Sequence, residues 1–129
     1  RISSDFVFKA AMGKKLEMKS AGLQKRSYCY SIDCAVQILI VLLKGKGGQA
    51  YNIGHDEITT IREMAEICAR AGNVGLTMTN PTEAELKAFN PMNNAALDNT
   101  RVKNLGYSDV FSTKNGIIHT VDILKEING

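Results

Sequence analysis

The residues best suited to chemistry lie in one segment, between Gly22 and Asp33. Arg26 stays charged at neutral pH and has two donor edges, so it can hold two phosphate groups at once. Gln24 and Tyr28 alternate with Arg26 along a β-prone stretch and are predicted to support it, although Tyr28 suits the protein core equally well. Asp33 falls in the first turn of the next helix, where a negative charge suits the helix dipole, and this interpretation is preferred to a catalytic one. The segment predicts an anion-binding site.

The common catalytic signatures do not occur elsewhere in the sequence. There is no G-x-x-x-x-G-K-[ST], H-E-x-x-H or G-x-S-x-G motif. His55 follows a glycine that ends a predicted strand, a usual place for ligand contact, whereas His119 is expected to be a surface or hydrogen-bonded residue of the last helix. Neither histidine lies at ligand spacing from a cysteine, so no metal site is predicted. The three cysteines are expected to be reduced thiols, which is typical of a cytoplasmic protein.

Composition predicts one folded domain over residues 1–129. Apolar residues make up 44% of the chain and charged residues 22%, which excludes a disordered protein, and no apolar run is long enough to span a membrane. Residues 1–50 hold nine basic and three acidic side chains. We considered nucleic acid as a partner of this basic half, but the lysines are scattered, and a diphosphate is the more economical partner. The chain starts at Arg1 rather than Met, which suggests a clipped or partial chain.

The elements that must position this segment are helices and short strands. Helices are predicted to begin at Ser4, at a Ser31 cap, at a Thr60–Glu63 capping box, at a Thr82–Glu85 capping box, at Asp98 and at Ser112. Strands are predicted at residues 16–19, 27–30, 50–53 and 74–79. This mixture predicts an α/β or α+β fold.

The helix between Ala35 and Leu43 is apolar around nearly its whole circumference. A helix of that kind is buried on more than one side. Together with the predicted strand at residues 50–53, it is expected to pack against a sheet that this chain lacks. If the chain stood alone, the exposed apolar patch would favour self-association, most simply as a homodimer.

The segment from Gly22 to Asp33 resembles the pattern G-x-x-Q-x-R-[SD]-[FY]-x-[YH]-[VI]-x-D of the NAD-dependent epimerase/dehydratase family. These are extended short-chain dehydrogenase/reductases acting on nucleotide sugars, such as UDP-glucose 4-epimerase. Further segments resemble the family in the same order, with Tyr51-Asn52-Ile53-Gly54 first and Thr60 to Ala65 next. Leu97 to Tyr107 and Ser112 to Thr120 follow. The ordered set covers essentially the whole chain.

The resemblance is to the C-terminal half of that fold, which lacks most of the Rossmann sheet. The family's G-x-x-G-x-x-G cofactor loop and Tyr-x-x-x-Lys catalytic pair are absent from the sequence. The resemblance therefore implies a fragment that recognises a nucleotide-sugar (NDP-hexose) substrate and has no catalytic residue. NAD would be bound by the full-length enzyme, through an N-terminal Rossmann half, and not by this chain alone. A stand-alone, non-catalytic nucleotide-sugar or partner-binding module remains the alternative.

The family pattern also implies substrate-binding residues. Arg26 would contact the nucleoside diphosphate with support from Gln24 and Tyr28, and the strand carrying Glu17 and Lys19 would lie beside the base. Members often have an aromatic residue at the position of Lys19 and an arginine at the position of Ala88. Lys87 is the nearest basic residue that could replace that arginine. Asn90 and Asn93 would bind ribose or sugar hydroxyls, or are simply turn residues around Pro91.

Overall fold

A computed structural model describes residues 2–89 and 94–129, and it does not describe the side chain of Ala88. Within these ranges the chain forms six helices and five short strands. In chain order they are α1 (Ile2–Ala11), β1 (Leu16–Met18), β2 (Lys25–Ser27), α2 (Ser31–Lys44), β3 (Ile58–Thr60), α3 (Ile61–Gly72), β4 (Leu76–Met78), α4 (Glu83–Ala88), β5 (Asn94–Ala95), α5 (Thr100–Asn104) and α6 (Thr113–Asn128). The predicted α/β class, with mixed helices and short strands, is confirmed.

The strands form two small sheets. β1 and β4 pair in parallel, with Leu16 opposite Leu76. In the second sheet β2 is the central strand and pairs antiparallel with β3 and parallel with β5. Arg26 is thereby fixed between Thr59 and Ala95 at the middle of this sheet.

The hydrophobic core lies where α1, α3 and α6 pack together over β1. Its most deeply buried members include Phe6, Leu16, Cys68 and Val121. Gly72 makes the close approach of α3 to α1 possible, because a Cβ there would lie 2.5 Å from the carbonyl oxygen of Ala10. The three helices therefore form a rigid base under the first sheet.

The strongest local signals in the sequence are confirmed. The Thr60 hydroxyl accepts a hydrogen bond from the Glu63 N–H at 3.1 Å, while the Glu63 carboxylate accepts from the Thr60 N–H at 2.7 Å. Thr82 and Glu85 form the same capping box at the start of α4. Ser112 caps α6 as predicted. These signals are reliable because both partners lie within one turn of helix.

Several predicted boundaries are wrong by a few residues. α1 begins at Ile2 rather than Ser4, and the strand placed at residues 27–30 is β2, at Lys25–Ser27. Tyr30, not Ser31, is the N-cap of α2. α5 has Asn99 as its N-cap, while the Asp98 carboxylate accepts from the Thr100 N–H at 2.8 Å. β4 is shorter than the predicted strand at 74–79.

The strand predicted at residues 50–53 is also wrong, since these residues lie outside every strand. Apolar and β-prone residues make a strand only where another strand pairs with their backbone. Within the described ranges, the nearby sheet is built from β2, β3 and β5 instead. The chain from Tyr51 to Gly54 therefore lies outside the sheets, and side chains bind its backbone at Gly54, as described below.

The helix predicted to be buried on more than one side is α2; within this chain it is not, and it exposes the apolar patch that was expected of the chain standing alone. Its buried residues are the polar Asp33 and Gln37. Its large apolar residues Ile38, Leu39, Leu42 and Leu43 are 52–80% exposed. The helix therefore faces the rest of this chain with polar side chains and presents an apolar face outward. No helix in the described ranges has the length and apolar character that crossing a bilayer would require.

Candidate functional site

One cleft in the described part of the chain has a volume of about 630 Å³. Five elements and their flanking residues line it. The α1 side supplies Ile2, Ser3, Asp5, Phe6 and Lys9; β1 and its exit supply Glu17, Lys19 and Ser20; the β2 segment supplies Gln24, Arg26 and Tyr28; and α3 and α4 supply Ile61, Glu85 and Phe89. A cleft of this size is typical of small-molecule sites.

Arg26 is the cation of this cleft that has no acidic partner in the described ranges. Its guanidinium donates to the Lys25 carbonyl oxygen at 2.7 Å and to the Gln24 side-chain oxygen at 3.4 Å. Both acceptors are neutral, and β2 holds the backbone between two strands. The charge of Arg26 is therefore oriented but not neutralised.

The other two cations of the cleft are already paired with acids. Lys9 lies 2.8 Å from Asp5, one turn away on α1. Lys19 forms an ion pair with Glu85, which joins the exit of β1 to α4. The hydrogen bond from Lys19, with those from Thr82, lowers the pKa of Glu85 to about 2, and the same contact raises the pKa of Lys19. An anionic ligand would thus find its free positive charge at Arg26.

Glu17 and Tyr28 also line the cleft, and neither forms an ion pair in the described ranges. The Glu17 carboxylate accepts from the Thr79 hydroxyl at 3.1 Å. Tyr28 is half-buried and packs against the hydrophobic core, and burial raises the pKa of its hydroxyl. Tyr30, two residues later, has other neighbours: its hydroxyl lies 2.6 Å from His119 Nδ1 and its ring contacts Phe111. Only Tyr28 of the pair lines the cleft.

Five of the eight substrate-binding residues predicted from the sequence meet in this cleft: Glu17, Lys19, Gln24, Arg26 and Tyr28. Lys87 is exposed on α4 and is not among the residues that line it. Asn90 and Asn93 lie outside the described residues. The roles of all eight residues in binding stay predictions.

Sequence reasoning missed the α1 and α4 sides of the cleft. The Asp5–Lys9 pair could have been found from its i,i+4 spacing on a helix. Glu85 and Phe89 have the same spacing on α4, so both face the cleft while Lys87 does not. The spacing of four residues from the capping Glu85 to Phe89 predicts that both side chains lie on one face of the helix. The sequence does not show what that face contacts.

Asp33 lies in the first turn of α2, as predicted, but it is not the N-cap and it does not line the cleft. It is fully buried, and its carboxylate accepts hydrogen bonds from the Tyr107 hydroxyl at 2.7 Å, the Val110 N–H at 2.7 Å and the Phe111 N–H at 3.0 Å. Burial, and next the bond to Asp33, raise the pKa of Tyr107. Asp33 thus joins α2 to the loop before α6.

Gln37 performs a similar task one turn later on α2. Its amide nitrogen donates to the Gly54 carbonyl oxygen at 3.0 Å, and its oxygen accepts from the Gly54 N–H at 3.1 Å. Asn99 donates to the same carbonyl at 2.9 Å. Two side-chain amides therefore satisfy the backbone of the chain at Gly54, where a neighbouring strand would otherwise do so.

His55 is buried and belongs to a small polar cluster on the other side of this loop. Its Nε2 lies 3.2 Å from the Phe111 carbonyl oxygen and 3.5 Å from Asp109. His55, Asp56 and Asp109 could bring three ligand atoms within 4.8 Å of one another. The Lys103 ammonium already lies 2.5 Å from Asp56 and 4.0 Å from Asp109. One lysine therefore already contacts both acids and offsets part of their negative charge, and the ligand contact considered for His55 stays a prediction.

No family model matches the chain. A curated relative is the trifunctional UDP-glucose 4,6-dehydratase/UDP-4-keto-6-deoxy-D-glucose 3,5-epimerase/UDP-4-keto-L-rhamnose-reductase of Arabidopsis thaliana. It is 30% identical over 121 residues, which are 91% of this chain and 17% of the plant protein. The chain thus spans less than a fifth of that relative's length.

Two solved structures have the same fold. UDP-glucose 4-epimerase of Thermotoga maritima, solved with UDP-glucose, matches all of this chain and 40% of its own with a TM-score of 0.80 at 20% identity. dTDP-glucose 4,6-dehydratase of Bacillus anthracis, solved with NAD, matches 98% of this chain and 39% of its own with a TM-score of 0.77 at 22% identity. The relatives and structural neighbours of this chain are therefore NAD-dependent nucleotide-sugar epimerases and dehydratases of the extended short-chain dehydrogenase/reductase family, and the chain corresponds to a C-terminal-like part of them.

Proposed function

We propose that this chain is the substrate-recognition portion of a nucleotide-sugar epimerase or dehydratase, and that its cleft binds the nucleoside diphosphate of the substrate. The observation that supports this most is the state of Arg26, a cation held by neutral acceptors in a cleft whose other cations are paired. A guanidinium can donate to two phosphate oxygens at once. A diphosphate has the charge and the spacing for that contact.

Two of the three acids of the cleft are neutralised by lysines, and the third, Glu17, keeps its charge because its partner Thr79 is neutral. Asp5 and Glu85 are each paired with a lysine, and Glu17 accepts a hydrogen bond from Thr79. Glu17 is then free to accept further hydrogen bonds from hydroxyl groups, since a carboxylate has about four acceptor sites. A nucleotide sugar offers such hydroxyls next to its phosphates. The cleft thus matches an anion that also carries neutral polar groups.

The test is the affinity of the full-length protein for UDP and dTDP compared with uridine and thymidine, measured by calorimetry. Arg26→Ala should weaken diphosphate binding by about 10- to 160-fold, because it removes a charge-assisted contact of about 1.5–3 kcal/mol. Nucleoside binding should change little. Arg26→Lys should recover only part of the loss, because an ammonium has no planar fork.

Arg70→Ala is the matched control, since Arg70 is highly exposed and is absent from the lining of the cleft. It removes the same charge and should leave the affinities unchanged. Equal losses for diphosphate and nucleoside in Arg26→Ala, or no loss, would refute the role of Arg26. Lys87→Ala tests the remaining basic residue: an unchanged affinity would show that Lys87 is only a solvated helix residue.

We further propose that the full-length enzyme binds NAD through an N-terminal Rossmann half. A dinucleotide site needs a glycine-rich turn from a strand into a helix N-terminus. In the described ranges four strands pass into a helix, β2 into α2, β3 into α3, β4 into α4 and β5 into α5, and no glycine lies between strand and helix in any of them. In the described part of the chain, the residues therefore do not fit the pyrophosphate of the cofactor. Free thiols at Cys29, Cys34 and Cys68 are consistent with a cytoplasmic enzyme.

The apolar face of α2, formed by Ile38, Leu39, Leu42 and Leu43, is the surface proposed to pack against that half. Leu43 is 80% exposed here, and Leu23, which lies on a different element, is 71% exposed. For two exposed leucines, replacement by glutamate should change the free energy of unfolding by at most about 0.5 kcal/mol. In the full-length protein Leu43→Glu should cost several times more than Leu23→Glu, because only the first would bury a charge.

A stand-alone binding module is the second candidate, because the core of α1, α3 and α6 is completed within the chain. In that case Leu43→Glu and Leu23→Glu would have the same small effect. A third possibility is that the chain forms a homodimer through α2. Molar mass measured by light scattering tests it, because Leu43→Glu would dissociate such a dimer and Leu23→Glu would not.

A further inference from the structure

We propose that Phe89 is the surface on which the base of the bound nucleotide stacks. This inference rests on the proposed function, since it concerns the same cleft, but it assigns a residue and a type of contact of its own. The ligand class is a nucleoside diphosphate in which an aromatic ring, the base, is joined to the group that Arg26 would hold.

The backbone of Phe89 is fixed although its side chain is accessible. Phe89 is the C-cap of α4, and its N–H donates to the Leu86 carbonyl oxygen at 3.3 Å. One turn earlier on the same face, Glu85 is held at the start of α4 by Thr82 and across the cleft by Lys19. The short helix is therefore attached at its beginning to β1, and its end presents Phe89 to the cleft.

Phe89 differs from the other aromatic residues that line the cleft. Phe6 is 1% exposed and belongs to the core, and Tyr28 is half-buried against the core. Phe89 is 37% exposed and lies outside the core cluster. Among the described lining residues it thus has the aromatic ring with the most area available to a ligand.

The two sides of the cleft differ in charge and therefore suit different parts of a ligand. Arg26 supplies the free positive charge, while the Lys19–Glu85 pair beside Phe89 has no net charge. An uncharged aromatic ring suits the α4 side of the cleft and an anion suits the β2 side. A nucleoside diphosphate presents both groups in one molecule. Because each base has a π-face, stacking on Phe89 should be tolerant of base identity.

The test compares UDP, GDP and inorganic pyrophosphate as calorimetric ligands of the full-length protein. Phe89→Ala should weaken binding of both nucleotides by about 5- to 160-fold, the equivalent of about 1–3 kcal/mol for one base stacked on an aromatic side chain. Pyrophosphate has no base, and its affinity should not change. Phe8→Ala is the matched control, because Phe8 is 50% exposed on α1 and does not line the cleft.

Two further variants separate stacking from apolar bulk. Phe89→Tyr keeps the ring and should bind as the wild type does, while Phe89→Leu keeps apolar volume without the ring and should behave as Phe89→Ala. The inference is overturned if Phe89→Leu binds UDP as the wild type does, or if Phe89→Ala weakens pyrophosphate equally. A protein in which Arg26→Ala weakens UDP and Phe89→Ala does not would retain the proposed function and lose this assignment. A wild-type protein that binds none of the three ligands would overturn both.

Discussion

Replacing Asp33 with alanine removes the acceptor of three hydrogen bonds from three different groups. The Tyr107 hydroxyl and the N–H groups of Val110 and Phe111 all donate to its carboxylate, which is fully buried. Asp33 lies on α2, whereas its donors follow α5, more than 70 residues later in the chain. The substitution therefore tests how strongly α2 is joined to the rest of the molecule.

The expected loss can be bounded from these contacts. Each hydrogen bond to a charged group contributes about 1.5–3 kcal/mol, so simple addition gives about 4.5–9 kcal/mol. That sum is too large, because Val110 is 59% exposed and the two backbone donors lie in a loop that water can reach once the carboxylate is gone. The Tyr107 hydroxyl is buried and keeps its full desolvation cost. A loss of about 3–5 kcal/mol is expected, as for other broken buried charge contacts.

Urea denaturation of purified variants measures this loss. Asp33→Asn should cost less than Asp33→Ala, about 1.5–3 kcal/mol, because the amide keeps one acceptor oxygen but places an N–H group against a backbone donor. Asp122→Ala, an exposed acid on α6, is the control and should stay within about 0.5 kcal/mol of the wild type. A loss below about 1 kcal/mol for Asp33→Ala would refute the role assigned to this carboxylate.

Four further outcomes are expected. The raised pKa of Tyr107 favours the protonated hydroxyl in the folded state, so its contribution is complete below about pH 10 and is lost as the pH rises further; Tyr107→Phe should remove that part of the alkaline pH dependence in urea melts. Thr60→Ala should lower the free energy of unfolding by about 1 kcal/mol and Thr60→Ser by less, because only alanine lacks the capping oxygen. Gly22→Ala should cost at least about 1–2 kcal/mol, since Gly22 has a φ of +65° and a Cβ would lie 2.8 Å from the Arg62 nitrogen, whereas Gly47→Ala has no such neighbour. Burial raises the pKa of Cys68 to about 12, so this thiol should react with a thiol reagent at neutral pH only after unfolding, and rapid labelling of native Cys68 would contradict that pKa.

Local signals in the sequence predicted the parts of the fold that depend on neighbouring residues. The capping boxes at Thr60 and Thr82 and the Ser112 cap are correct, because each contact is closed within one helical turn. In the last helix Ile117 and Val121 are buried and Leu124 is partly buried against the core, which is the stripe that the spacing of these three residues predicts. Helical periodicity identifies such a stripe without knowledge of what covers it.

Features that depend on distant partners could not be predicted in the same way. The pattern at residues 50–53 is β-prone, but pairing decides whether a strand forms, and here Gln37 and Asn99 hold the backbone instead. Asp33 does lie in the first turn of α2, as the helix-dipole interpretation requires, but that interpretation does not account for its complete burial. Its actual donors at residues 107–111 leave no trace in the local sequence.

The predicted binding residues illustrate both cases. Glu17 and Lys19 alternate on or beside β1, and Gln24, Arg26 and Tyr28 on or beside β2, so strand periodicity brings each set to one side, and the fold then brings both sets to one cleft. The sequence could not predict which of their charges are neutralised by an ion pair. Lys19 and Arg26 are both basic residues near strands, but Lys19 is neutralised by Glu85, 66 residues away, whereas Arg26 has neutral acceptors. Because that difference decides which side of the cleft attracts an anion, binding of pyrophosphate should depend on Arg26 and hardly at all on Lys19, and this contrast follows from tertiary pairing alone.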